Sequence, residues 1–191
     1  MVDRLSPLKS TMVGGHYGRI GKTGVTLGER PVTDLWQLAG WADFENAAKP
    51  VLEALGLAGL GDYRTSRRAG SATCYRIAPD KILIEGGSDV SAFMSEKLAT
   101  LDLGHARTAI TMDGANARDV LAQLIAIDVS PDIFAENHFL QTGIHHVPVL
   151  IRCLAPERFE IFVPVTWAET IWEILCLNAS PHGYEILEAV A

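Results

Sequence analysis

The chain has 191 residues, 48% of them hydrophobic and 20% charged, with 9 Pro and 17 Gly; this excludes a disordered or collagen-like protein and allows one domain or two small ones. Sixteen Lys and Arg against 23 Asp and Glu give a formal net charge of −7, which excludes gripping nucleic acid or an anionic membrane as the main task. No apolar run reaches the ~18 residues a membrane helix needs, and Met1 to Ser10 lacks the unbroken apolar stretch of a secretory signal, so a cytoplasmic location is expected.

The first segment, residues 1–29, is rich in Gly, Thr, Lys and Arg and reads as an irregular arm. Gly21-Lys22-Thr23 carries the residue types that close a phosphate-binding loop, but His16 stands where that motif needs its first glycine, so nucleotide binding is not expected there. Val32 to Leu38 then alternates as a strand, and Phe44, Ala47, Ala48, Val51, Leu52 and Leu55 recur at helical spacing. Gly56 to Gly70 reads as a long exposed loop bearing Arg64, Arg67 and Arg68, either simply solvated or a contact for an acidic partner or a phosphate. Ala72 to Ile77 and Lys81 to Glu85 read as two strands joined by a tight turn at Ala78-Pro79-Asp80. Ser88 is placed to cap a helix with Val90, Phe93, Met94 and Leu98 inward.

The second half repeats this order. Leu101 to Met112 reads as a strand, Ala115 to Leu124 as a helix, and His145 to Leu154 with Phe159 to Val163 as a strand pair. Thr166-Trp167-Ala168-Glu169 has capping-box spacing ahead of a helix with Trp167, Ile171, Ile174 and Leu175 inward, and a last strand lies around Tyr184 to Leu187. Ala155-Pro156-Glu157-Arg158 follows Ala78-Pro79-Asp80-Lys81 by 77 residues, whereas Arg152 follows Arg76 by 76, as though one loop position slips. The expected fold is α+β: two β-α-β-β-α-β units related by pseudo-symmetry, at residues 30–103 and 104–191, each an antiparallel sheet covered by helices on one face.

Chemistry is sparse in these residues. Cys74, Cys153 and Cys176 are too far apart for a redox or zinc motif and read as buried thiols. His16, His105, His138, His145, His146 and His182 show no ligand spacing, and His145 and His146 would face opposite ways on a strand. No catalytic, cofactor-binding or metal-binding residue is assigned. Asp102, His105 and Arg107 form a polar group at a strand start, suited to bonding backbone, to a partner contact or to acid-base work.

The run Leu101-Asp102-Leu103-Gly104-His105-Ala106-Arg107-Thr108-Ala109-Ile110 resembles the D-L-S-H-[AG]-R strand of the gamma subunit of heterotetrameric sarcosine oxidase. Gly114-Ala115-Asn116-Ala117-Arg118-Asp119-Val120-Leu121-Ala122, Ile127-Asp128-Val129, Pro131, Phe134, Gln141-Thr142, His146-Val147-Pro148-Val149-Leu150, Phe159 and Val163 follow that family's order, as does Ile77-Ala78-Pro79-Asp80-Lys81-Ile82-Leu83 upstream. Gly104 replaces the family's usual Ser, and Lys81-Ile82 its Glu-Trp. The related subunit of N-methylglutamate dehydrogenase is an alternative.

The resemblance implies an aminomethyltransferase-like fold and a non-catalytic subunit of a complex that demethylates sarcosine to glycine and passes the one-carbon unit to tetrahydrofolate. It implies alpha, beta and delta subunits as partners, with FAD, FMN, NAD and tetrahydrofolate bound by them and none by this chain. The paired acids of the folate-dependent aminomethyltransferases fall on His146 and Val147 here, and the K-G-C-Y-x-G-Q-E motif of the folate-binding iron-sulfur maturation proteins is absent; a free-standing folate-binding enzyme or maturation factor is the alternative of a different class. Lys9, Arg19, Lys22 and Arg30 make the arm basic, and with Arg64, Arg67, Arg68, His105 and Arg107 they are the candidate partner contacts. The arm is expected to order only against an acidic face of a larger subunit.

Overall fold

The computed structural model describes residues 5–187; residues 1–4 and 188–191, the outer ends of the predicted arm and second unit, lie outside the described residues. In chain order the strands and helices are β1 (Gly15–Tyr17), β2 (Val25–Pro31), β3 (Leu35–Gly40), α1 (Phe44–Ala54), β4 (Arg67–Ala69), β5 (Ala72–Ala78), β6 (Lys81–Glu85) and β7 (Leu98–Asp102). They continue with β8 (Arg107–Asp113), α2 (Ala117–Leu124), β9 (Phe139–Ile144), β10 (Val147–Ala155), β11 (Arg158–Pro164), α3 (Ala168–Ala179) and β12 (Tyr184–Ile186). The chain divides into two units, one spanning Val32–His105 and the other made of the segments before and after it.

The Val32–His105 unit is a five-stranded antiparallel sheet of order β4-β5-β6-β3-β7. Numbering β3, β5, β6 and β7 as one to four gives the order 2-3-1-4, the arrangement expected of a β-α-β-β-α-β unit. Helix α1 lays Phe44, Ala48, Val51 and Leu52 on Leu38, Cys74, Ile82, Ile84 and Leu98. The second helix of the pattern does not form. Gly86 and Gly87 take left-handed conformations, the Asp89 carboxylate accepts the Ser91 N–H at 2.7 Å, and only a 3-10 turn, Ser91–Phe93, follows. Met94, expected inward, is 67% exposed, and Leu98 is buried as the first residue of β7. The strand expected from Leu101 to Met112 is likewise two strands, broken where the Asp102 carboxylate turns the chain by accepting the Gly104 N–H at 2.8 Å.

The other unit is a seven-stranded sheet of order β1-β12-β2-β8-β11-β10-β9, antiparallel except for β12 beside β2. Strands β8, β10 and β11 repeat the places of β3, β5 and β6. The fourth place, next to β8, is taken by β2, so the last strand of the chain is displaced outward. This corrects the reading of residues 1–29 as an irregular arm: Val25 and Leu27 are fully buried in the sheet, with Leu8 and Met12 in the same core. The glycines hide a two-residue alternation, Val25-Thr26-Leu27, that is long enough to add a strand but too short to stand out. Helices α2 and α3 cover one face through Ala117, Val120, Leu121, Ile171, Trp172 and Leu175. Trp167, expected inward, is 49% exposed, because the chain enters α3 through a 3-10 turn at Val165–Trp167 rather than through a side-chain cap.

The duplication is carried in backbone detail. The β5-β6 pairing shifts register between Arg76 and Ala78, and the β10-β11 pairing shifts between Cys153 and Ala155, 77 residues on. The Gly40 N–H donates to the Asp80 carbonyl at 3.0 Å, as the Gly114 N–H does to that of Glu157. The offset is therefore constant through the hairpins. Arg152 corresponds to Tyr75, and Arg76 to Cys153, so the slip inferred from pairing Arg76 with Arg152 does not occur.

Candidate functional site

Along β11 the side chains of Phe159, Ile161 and Val163 enter the helix-covered core, and by alternation Glu160 and Phe162 point to the opposite face. There the strand register sets Gly28, Thr111, Glu160 and Arg152 side by side across β2, β8, β11 and β10. Glu160 is 4% exposed. Its carboxylate accepts Arg30 Nε at 2.9 Å and Nη2 at 2.8 Å, and Arg152 Nε at 2.9 Å with Nη2 beside it. Both guanidinium groups lie over the Phe162 ring, at 5.8 and 5.3 Å from its centroid. Next to the triad a cavity of about 210 Å³ is lined by Thr26, Thr111, Leu154, Arg158, Glu160 and Leu187. Gly28 opens this wall, since a Cβ there would come within 2.9 Å of Thr111 Oγ1.

Burial pushes the Glu160 carboxyl up, but the hydrogen bonds and charges of Arg30 and Arg152 outweigh it and hold the group below its ordinary 4.5. An ionised carboxylate held by two forks is a poor proton acceptor at neutral pH. The triad is thus a fixed structural charge of net +1 rather than an acid-base group. Beside it Arg158 Nε donates to Asp113 at 2.6 Å. The thiols are equally quiet: burial pushes Cys74 up to about 12 and raises Cys153 and Cys176, so little thiolate forms at neutral pH. Among the described residues no three metal-ligating side chains converge.

The structure sorts the candidate partner contacts. Lys9, Arg19 and Lys22 are exposed, the last two on the loop that packs against Ser180 to Gly183, where the Arg19 N–H donates to the Ser180 carbonyl at 3.0 Å. Arg30 is turned inward to Glu160 and is spoken for within its own sheet. Arg67 and Arg68 lie on the short edge strand β4 with opposite facing, and Arg64 lies in the loop before it; all three are exposed. His105 is exposed, whereas Arg107 is half-buried in β8 and burial lowers its pKa from the usual guanidinium value.

Three features escaped the sequence reading. Glu160 is the lone charge in the apolar run Phe159 to Val163, a pattern that demands a buried partner, but the partners sit on other strands. Arg118 of α2 donates to the carbonyls of Val129, Phe134 and Pro156 and stacks 4.9 Å from the Phe159 centroid. It ties the segment after α2 to the β10-β11 hairpin. His145 and His146 are not on a strand; they form the two-residue turn between β9 and β10, both in the left-handed region at φ 45° and 70°. His146 is thus at an exposed hairpin tip, and its neighbour Val147 is buried in the core.

No protein-family model and no curated protein matches the sequence. Among solved structures, the fold matches a chain of heterotetrameric sarcosine oxidase from Corynebacterium sp. U-96, in complex with pyrrole 2-carboxylate, at a TM-score of 0.80 and 22% identity, over 98% of this chain and 99% of that one. It also matches glycine cleavage system aminomethyltransferase T from Bartonella henselae at a TM-score of 0.54 and 14% identity, over 81% of this chain and 46% of that one, so this chain spans less than half of that protein. The chain therefore shares its α+β fold, nearly end to end, with a chain of heterotetrameric sarcosine oxidase, and in part with aminomethyltransferase T.

Proposed function

We propose that this protein is the gamma-type subunit of a cytoplasmic, flavin-dependent heterotetrameric sarcosine oxidase, a non-catalytic member of the assembly. Its alpha, beta and delta partners bind the FAD, FMN, NAD and tetrahydrofolate, and the complex demethylates sarcosine to glycine. The observation that carries this reading is the fold match over the full length of both chains. The family-like run from Leu101 to Ile110 supports it, as do the locked Glu160 and the replacement of the aminomethyltransferase acids by His146 and Val147.

The test is purification of the chain alone and from its native cell. Alone, it should be colourless and leave sarcosine unoxidised; from the cell, it should bring down a flavoprotein that oxidises sarcosine. One equivalent of bound flavin on the isolated chain, turnover without partners, or no such flavoprotein in the native preparation would overturn the proposal.

A further inference from the structure

Between Ala54 and Pro79 the chain carries four arginines and one acid, Asp62, within a protein of net charge −7. The carboxylate of Asp62 is turned to backbone, accepting the N–H groups of Arg64 and Thr65, which hold it below its ordinary value. The charge of Arg67 also helps to lower it. Arg67 stands opposite Cys74 in the β4-β5 register, so it and Arg76, two residues further along β5, share one face of the sheet. The two flank Gly61: Arg76 Nη1 donates to its carbonyl at a long 3.4 Å, and a Cβ at Gly61 would lie 3.2 Å from Arg67 Nε.

Arg76 Nε is wholly buried and has no hydrogen-bond partner, the one such side-chain atom among the described residues. A buried donor left unmet is costly and calls for an acceptor. The Tyr63 ring lies over the face of this guanidinium, 5.0 Å from centroid to carbon, and is itself 49% exposed. The face is taken by the ring, and the Nε edge is the part of the group left without an acceptor. A planar edge of one Nε–H and one Nη–H matches a carboxylate in bidentate fashion.

We propose that Arg67 and Arg76, either side of Gly61 and beside the Tyr63 ring, form a carboxylate-binding site. The carboxylate belongs to a free dicarboxylic acid or to an acidic side chain of a partner subunit, and the experiment separates these sources. Only the second source rests on the proposed function; the site itself rests on this chain's geometry. In the first arm the full ¹⁵N-labelled chain is titrated with glutarate at low salt while the arginine Nε–H signals are observed. The Arg76 signal should shift saturably, with about tenfold weaker binding in Arg67→Gln and none of that loss in Arg68→Gln, whose residue lies on the other face. Arg67 is exposed, so that variant keeps the fold, and in Arg76→Lys, which keeps charge but loses the edge, the shift that glutarate causes in the Arg67 Nε–H signal should be lost.

In the second arm, the amount of sarcosine-oxidising flavoprotein co-purifying with wild type, Arg67→Gln and Arg68→Gln is compared. A several-fold drop for Arg67→Gln alone, with no glutarate response, assigns the carboxylate to the partner. A glutarate response with unchanged co-purification assigns it to a free acid. The absence of both responses overturns the site. If wild type brings down no such flavoprotein, the proposed function falls and the titration alone decides the site.

Discussion

Replacing Glu160 by Gln removes the charge that two arginines share while keeping the shape. Arg152 is 15% exposed and Arg30 35%, so Arg152 loses a carboxylate partner in a buried setting and Arg30 is partly rescued by water. Breaking a buried pair by removing one partner costs about 3–5 kcal/mol. Discounting for the exposure of Arg30 gives about 3 kcal/mol, a midpoint shift near 0.75 M guanidinium at a slope of ~4 kcal/mol/M. The duplicate unit supplies the complementary experiment. Its Leu83 and Tyr75 occupy the places of Glu160 and Arg152, and Leu103, whose N–H donates to Leu35, that of Arg30.

The triple variant Arg30→Leu, Arg152→Tyr, Glu160→Leu should therefore stand within about 1–2 kcal/mol of wild type, because a buried ion triad and an apolar one of similar volume are close in free energy. The pH dependence follows from the sign of the shift. The folded pKa of Glu160 lies below 4.5, so its contribution is complete above the unfolded value and is lost as pH falls through the folded one. The gap between wild type and Glu160→Gln should be full at pH 7 and close below pH 4.5. Guanidinium denaturation followed by tryptophan fluorescence, with Trp172 buried in the same unit, reads all three. A Glu160→Gln cost under about 1 kcal/mol, or a triple variant as unstable as the single one, would refute the reasoning.

The remaining predictions are local. Two left-handed histidines strain the β9-β10 turn, so His145→Asn with His146→Gly should stabilise by about 1 kcal/mol and raise Tm by roughly 2–4 °C in calorimetry. Gly104→Ser restores the residue of the resembled family, but its Cβ would come within 2.3 Å of the Thr33 carbonyl oxygen, and it should cost about 1–3 kcal/mol in urea denaturation. Arg118→Lys keeps the charge but loses the fork that reaches three carbonyls; it should cost about 2–3 kcal/mol and speed amide exchange between residues 125 and 138, which hydrogen-exchange mass spectrometry measures.

Sequence alone determined what local periodicity controls. The α1 stripe of Phe44, Ala48, Val51 and Leu52, the paired proline hairpins and the duplicated order of elements are readable because their hydrogen bonds and buried faces lie within a few residues of one another. Tertiary structure decided what joins distant residues. Val25 to Pro31 became a central strand only because β8 and β12 lie on either side of it, and the helix expected after Ser88 gave way to a 3-10 turn and the strand β7, paired to β3. Arg30 passed from a candidate partner contact to the internal mate of Glu160, 130 residues away. A strand's hydrogen bonds are met only by its neighbours, and a buried charge only by whatever the fold sets beside it, so neither is written in the local run of residues.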